Sequence, residues 1–155
     1  MNKIILLLLF ISTLFQIVYN CSCGYQKPEG SMCYADFISY VHVKGVTRLR
    51  NSSGQLLPQS GRGIKYYVNH LKIYKKPKGM KLSHHIYTAS NSALCGISDL
   101  KKGTKIYLMG RIDKSDSKTL TISLCYSTNF YSMINGKISK KDIKILEKKS
   151  YRPCK

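Results

Sequence analysis

The chain has 155 residues and carries 26 Lys and Arg against 7 Asp and Glu, a formal net charge of +19. That length is one domain's worth of polypeptide. The charge surplus draws polyanions, such as glycosaminoglycans, anionic lipid surfaces or acidic proteins, and the few acidic residues are not spaced as a catalytic pair.

Residues 1–20 divide as a signal peptide does. Lys3 supplies the charged start, and Ile4 to Phe10 with Ile11, Leu14 and Phe15 supply the apolar run. Ser12, Thr13 and Gln16 interrupt that run, leaving it short of the roughly 20 apolar residues a membrane span needs. The expected organisation is a leader over 1–20 and a single domain over 21–155, secreted and without a membrane span. Cleavage between Asn20 and Cys21 makes a cysteine the mature N-terminus, in the triplet Cys21-Ser22-Cys23. The free α-amine and carbonyl of Cys21 then form a compact chelating head.

Behind the triplet, Pro28 suits the first position of a short helical turn. Phe37 to Val43 reads as a strand, rich in aromatic and β-branched residues and ended by Gly45. Arg48 to Gly63 reads as an exposed loop, broken by glycine, proline, serine and asparagine; within it Asn51-Ser52-Ser53 is a glycosylation sequon at Asn51. Lys65 to Tyr74 is a second long strand, Pro77 and Gly79 mark a turn, and His85 to Ala89 is a short third strand. Asn91 to Leu94 is a connector into Cys95. Lys105 to Ile112 and Thr119 to Cys125 read as a hairpin around Asp113–Ser117. Ser139 and Asp142 resemble a capping box opening a helix over Lys140 to Lys149, with Ile143 and Leu146 on one face. Five strands with a helix near each end point to a mainly β fold, a small five-stranded barrel of the oligonucleotide/oligosaccharide-binding kind with flanking α-helices.

All six cysteines follow the leader: Cys21, Cys23, Cys33, Cys95, Cys125 and Cys154. An even count in an exported chain reads as three disulfides, with fifteen possible connectivities. A metal-thiolate cluster fits poorly, because the last three cysteines stand alone without the close pairs zinc sites use.

The ordered set of Cys21-Ser22-Cys23, nine residues, Cys33, then Ala93-Leu94-Cys95-Gly96, Lys105 to Gly110, Leu120 to Cys125 and Cys154 resembles the inhibitory domain of the tissue inhibitors of metalloproteinases, a netrin-type module. The resemblance covers nearly the whole mature chain, which ends at Lys155 without the further six-cysteine domain of vertebrate members. It implies the pairing Cys21–Cys95, Cys23–Cys125 and Cys33–Cys154. It also implies inhibition of matrix-type zinc metalloproteases: the Cys21 amine and carbonyl ligate the protease zinc and displace the water used as nucleophile. Ser22 then enters the pocket beside the zinc, Cys23, Gly24 and Tyr25 run along the primed side of the cleft, and Ala93 and Leu94 fill the unprimed side. No cofactor is expected.

Two other readings compete. A non-inhibitory netrin-type module could bind heparan sulfate or similar polyanions through Lys72, Lys75, Lys76, Lys78 and Lys81 around Tyr74. Nucleic-acid binding suits the charge and the barrel, but secretion and disulfides argue against it. Catalysis finds little: His84-His85 lacks a third ligand, and His42 and His70 fall inside strands.

Overall fold

The computed structural model describes residues 21–24, 27–55, 57, 62–113, 115–116, 118–126 and 138–154. The proposed leader, Tyr25, the middle of the Arg48–Gly63 loop, and Lys114 and Ser117 of the hairpin turn lie outside the described residues.

The elements in chain order are α1 (Pro28–Tyr34), β1 (Phe37–Arg48), β2 (Ile64–Lys75), β3 (His85–Thr88), a 3-10 turn (Ser92–Leu94), β4 (Lys105–Ile112), β5 (Leu120–Thr121) and α2 (Lys140–Lys148). The strands close into a barrel in the order β1-β2-β3-β5-β4, with β4 pairing back onto β1. Closure removes the unpaired strand edges that a small open sheet would expose.

Two strands depart from expectation by more than one residue at an end, while β2 and β3 differ by no more than a single residue at either end. Gly45 does not end β1, which runs on to Arg48; a register shift between Val43 and Gly45 absorbs it as a bulge. Two further shifts along the same pairing let strands of 12 residues bend around a narrow barrel. The fifth strand is shorter than Thr119 to Cys125. It stops at Thr121, and Leu124–Tyr126 is a helical turn. There the Cys125 N–H donates to the Ser123 hydroxyl at 3.2 Å, a local bond that competes with strand continuation.

Strand alternation divides the apolar residues between two cores. Phe37, Val41 and Val43 point into the barrel with Ile64, Tyr66, Ile86, Leu108 and Leu120, all 0% exposed. Ile38 and Met109, on the opposite faces of β1 and β4, build a second cluster with Met32 of α1 and Leu146 of α2. On α2 it is Ile145 that joins Leu146 at this cluster, in place of Ile143. Ser139 caps the helix as expected, accepting from the Asp142 N–H at 3.0 Å; its hydroxyl also donates to the Asp142 carboxylate at 2.7 Å.

One pairing decides where the late cysteines go. Most strand neighbours are antiparallel, but β3 and β5 are parallel, with Ile86 opposite Leu120 and Tyr87 opposite Thr121. Both strands therefore leave the barrel at the same end. The segment after β3 leads to Cys95, and the segment after β5 leads to Cys125.

Candidate functional site

Cys95 and Cys125 receive the N-terminal triplet. Disulfides join Cys21 to Cys95 and Cys23 to Cys125, with Cα–Cα distances of 4.9 and 5.1 Å. A third joins Cys33, at the end of α1, to Cys154 after α2. The four sulfurs at the tip lie within 4.8 Å of one another, Cys21 Sγ being 3.6 Å from that of Cys23 and 3.7 Å from that of Cys125. Each is bonded in a disulfide, so the group staples the chain and offers no thiolate to a metal.

These bridges hold both sides of Ser22. Ser22 and Gly24 are exposed while the two cysteines flanking Ser22 are half-buried, so the segment lies as a low ridge with Ser22 outward. Ala93 and Leu94 are also exposed, Leu94 to 44%, in the turn that enters Cys95. The structure thus brings Cys21, Ser22, Cys23, Ala93 and Leu94 together through the Cys21–Cys95 bridge. Tyr25 lies outside the described residues.

The connector is built with little freedom. Asn91 caps its 3-10 turn, its side-chain oxygen accepting from the Leu94 N–H at 3.0 Å. Cys95 adopts the left-handed region at φ 60°, and its carbonyl accepts from the Leu124 N–H at 2.8 Å, which links the two bridge-bearing turns directly. Gly96 must be glycine for space: a Cβ there would collide with the Ala89 carbonyl. Beyond it, the Ile97 N–H donates to Thr88 Oγ1 at 3.0 Å, and the buried Tyr66 hydroxyl donates to the Ile97 carbonyl at 2.8 Å. Burial pushes the Tyr66 phenol up to about 12, so this donor keeps its proton at any physiological pH.

The β1–β2 loop starts at the connector end and is tied to the β4–β5 hairpin. Arg48 closes β1 against Ile64 of β2, which pairs in turn with Thr88 of β3, so the β1–β2 loop rises beside the connector. Its end is fastened by an ion pair of 2.6 Å between Arg62 and Asp113. The Ser115 hydroxyl and N–H, then Arg62, hold the Asp113 carboxyl down at about 2. Asn51 is exposed, and its side-chain oxygen accepts from the Gln55 N–H at 2.8 Å and the Ser53 hydroxyl at 2.7 Å.

The lysine stretch is less available than its sequence implies. Lys72 pairs with Glu147 at 2.9 Å, Lys75 is half-buried on the carbonyls of Met32 and Cys33 at 2.9 and 2.7 Å, and Lys76 donates to the Met80 carbonyl at 2.8 Å. Two of the histidines are bonded within the fold. Half-buried His70 lies between the Ser39 hydroxyl at 2.8 Å and the Ser83 carbonyl at 2.9 Å, and His84 meets the Val68 carbonyl at 3.0 Å.

The sequence placed Asn91 and Gly96 in the connector without a cap or packing role, and Tyr66 and Leu124 only in strands, although together they set the connector. An asparagine directly ahead of a short turn is a recognisable cap signal; the reach of Tyr66 to Ile97 has no local signature.

Fold and ridge together define a class: a small disulfide-stapled barrel that presents an exposed edge fixed by two bridges. The profile of the tissue inhibitor of metalloproteinase family matches residues 19–154, and the chain belongs to that family. Metalloproteinase inhibitor 2 of Homo sapiens is 33% identical over 119 residues, covering 76% of this chain and 52% of the relative. The same inhibitor of Rattus norvegicus is also 33% identical over 119 residues, with the same coverage. Metalloproteinase inhibitor 4 of Rattus norvegicus is 29% identical over 111 residues, 68% of this chain and 46% of the relative. The chain spans about half the length of the curated relatives it matches. Among the described residues, no helix is long and apolar enough to cross a membrane.

Proposed function

We propose that this chain is a secreted inhibitor of zinc metalloendopeptidases that acts through the N-terminus created when residues 1–20 are removed as a signal peptide, leaving 21–155 as the inhibitory domain. The free amine and carbonyl of Cys21 bind the catalytic zinc of the protease in a five-membered chelate and displace its water. Ser22 enters the adjoining pocket, Cys23, Gly24 and Tyr25 follow the primed side, and Ala93 and Leu94 occupy the unprimed side. Asn51, on the exposed β1–β2 loop, is the expected glycan acceptor.

The observation that carries this reading is the double staple: bridges at Cys21 and Cys23 hold Ser22 outward, beside an equally exposed Ala93–Leu94 turn. A ligand ordered before binding loses little conformational entropy on association. A neutral amine is also accessible near neutral pH, since an ordinary α-amine titrates at about 7.7–8.0. The names of the relatives point to the same activity. Polyanion binding by the lysine stretch gains no comparable support, because three of its members are engaged within the fold.

The test compares disulfide-bonded protein beginning at Cys21 with the same protein carrying one alanine ahead of it. The first should inhibit a matrix-type metalloprotease at one-to-one stoichiometry. The second has no free amine at Cys21, and its inhibition constant should rise by about 100-fold or more. Equal inhibition by the two would falsify chelation by Cys21.

A further inference from the structure

The end of the barrel away from the ridge carries a second concave surface. Because β3 and β5 are parallel, the segments that enter them share the end opposite Cys95 and Cys125. A cleft of about 920 Å³ lies there, lined by residues 78–84 ahead of β3, by His85 at its start and by Lys118 ahead of β5. That volume is in the range of small-molecule sites, and barrel mouths are one of their usual locations.

The lining has a definite chemistry. Leu82 is 4% exposed and belongs to the barrel core, and the partly buried Met80 packs against the same core, so together they make an apolar floor. Methionine is an unbranched, adaptable side chain that moulds to aliphatic ligands. Lys78, Lys81 and Lys118 line the cleft at exposed positions; a lysine in such a place can lay its methylene stem on apolar surface and keep its ammonium group in water. Among the described residues, no acidic side chain lines the cleft and none of these three lysines forms an ion pair. The His84 ring donates from Nδ1 to the Val68 carbonyl, which fixes one wall against β2.

We propose that this mouth binds an anionic amphiphile, an aliphatic chain on the Met80–Leu82 floor with a single phosphate, sulfate or carboxylate head among Lys78, Lys81 and Lys118. A free inorganic anion would leave the floor unused, and a neutral alcohol would leave the rim unused. An extended sulfated polysaccharide fits less well. It needs a continuing strip of cations, and the neighbouring Lys72, Lys75 and Lys76 are held by Glu147 and by backbone carbonyls. The proposal is independent of metalloprotease inhibition, which concerns the other end of the barrel.

Titration calorimetry on the disulfide-bonded protein tests it, with decyl phosphate kept below its micelle concentration, and with decanol and inorganic phosphate as partial ligands. Decyl phosphate should bind saturably at one-to-one stoichiometry, and each partial ligand should bind about tenfold or more weakly by comparison. The double substitution Lys81→Glu with Lys118→Glu, both at exposed positions, should weaken decyl phosphate about tenfold or more and leave the melting temperature unchanged. Lys72→Gln, outside the cleft, should leave binding as it is. The proposal is overturned by the absence of saturable binding, by inorganic phosphate binding as tightly as decyl phosphate, or by an equal loss in Lys72→Gln. It is equally overturned if a heparin oligosaccharide binds more tightly than decyl phosphate and loses affinity in the double variant.

Discussion

The ridge at Cys21 and the helical flank at Cys33 are both fastened to the barrel by disulfides, yet they are held by different forces. On the flank, Met32, Ile38, Met109 and Leu146 are at most 1% exposed, and the Cys33–Cys154 bridge closes a unit that is already packed. On the ridge, Ser22, Gly24, Ala93 and Leu94 all face solvent. Two bridges, the Asn91 cap and the backbone bond between Leu124 and Cys95 take the place of packing there. Side chains on the flank are constrained by stability. Those on the ridge are relieved of it and are free to be chosen for what they touch.

Removing bridges should separate the two regions most strongly. Cys21→Ser with Cys95→Ser opens a link of sequence separation 74, and Cys33→Ser with Cys154→Ser one of 121. The chain-entropy model gives losses of about 4 and about 5 kcal/mol respectively, similar within its accuracy. Function should not follow stability. Urea unfolding should report both losses, while the proposed inhibition should vanish only in the first pair. If the flank pair abolished inhibition by a protein that still folds, the ridge would not be the autonomous tip described above.

Single side chains should repeat the contrast on a smaller scale. Leu146→Ala empties a site that is 1% exposed and should cost about 2–5 kcal/mol, with the inhibition constant of the folded protein unchanged. Leu94→Ser, at a residue 44% exposed, should change stability by less than about 0.5 kcal/mol and still weaken inhibition. Denaturant midpoints and inhibition constants measured on the same two preparations decide it. A large stability loss in Leu94→Ser would mean that the connector is packed after all.

How far the sequence carried this picture follows the range of each interaction. β4 was legible with its observed bounds, because alternation over Lys105–Ile112 is a local pattern between breakers. Both terminal helices were legible from local start signals, Pro28 and the Ser139–Asp142 pair, and the barrel from the count of strands. Gly45 misled because a glycine reads alike at a strand end and at a bulge, and only the partner strand distinguishes them. Ile122 and Leu124 misled because their β-like residues sit where Ser123 starts a turn and Cys125 must reach Cys23. Counting cysteines left fifteen pairings open, and the resemblance to a family was needed to choose one. Nothing near Tyr66 or Lys75 announces Ile97 or the carbonyls of Met32 and Cys33, since those contacts join positions 31, 43 and 42 residues apart.

Acid should weaken the fold away from the ridge. Burial holds the His70 imidazole below its ordinary range; the Ser83 carbonyl opposes that shift and His84 adds to it. Neutral His70 donates to Ser83 and accepts from the Ser39 hydroxyl. A group depressed in the folded state takes up its proton more readily once unfolded. Its contribution is therefore complete above the unfolded value of about 6.5 and is lost as pH falls from there towards the folded value. Urea midpoints should drop between pH 7.5 and 5.5, and His70→Gln should flatten that drop while lowering stability at pH 7.5. An unchanged slope in the variant would assign the acid sensitivity elsewhere.

The smallest effect concerns the far end of the flank, where stability should be improvable without consequence for the ridge. Lys149 closes α2 in the left-handed region at φ 53°, and the Ser150 N–H donates to the Ile145 carbonyl at 3.1 Å in the usual helix-ending pattern. A side chain costs energy in that conformation and glycine does not, though glycine adds freedom to the unfolded chain. Lys149→Gly should thus stabilise the protein by about 0.5–1 kcal/mol, visible as a higher melting temperature. The ridge is anchored through Cys95 and Cys125, which are bridged to Cys21 and Cys23, whereas α2 packs on the Met32–Ile38–Met109 cluster, so the inhibition constant should stay where it was. A shift in that constant would reveal a coupling between flank and ridge that separate bridges and separate cores give no reason to expect.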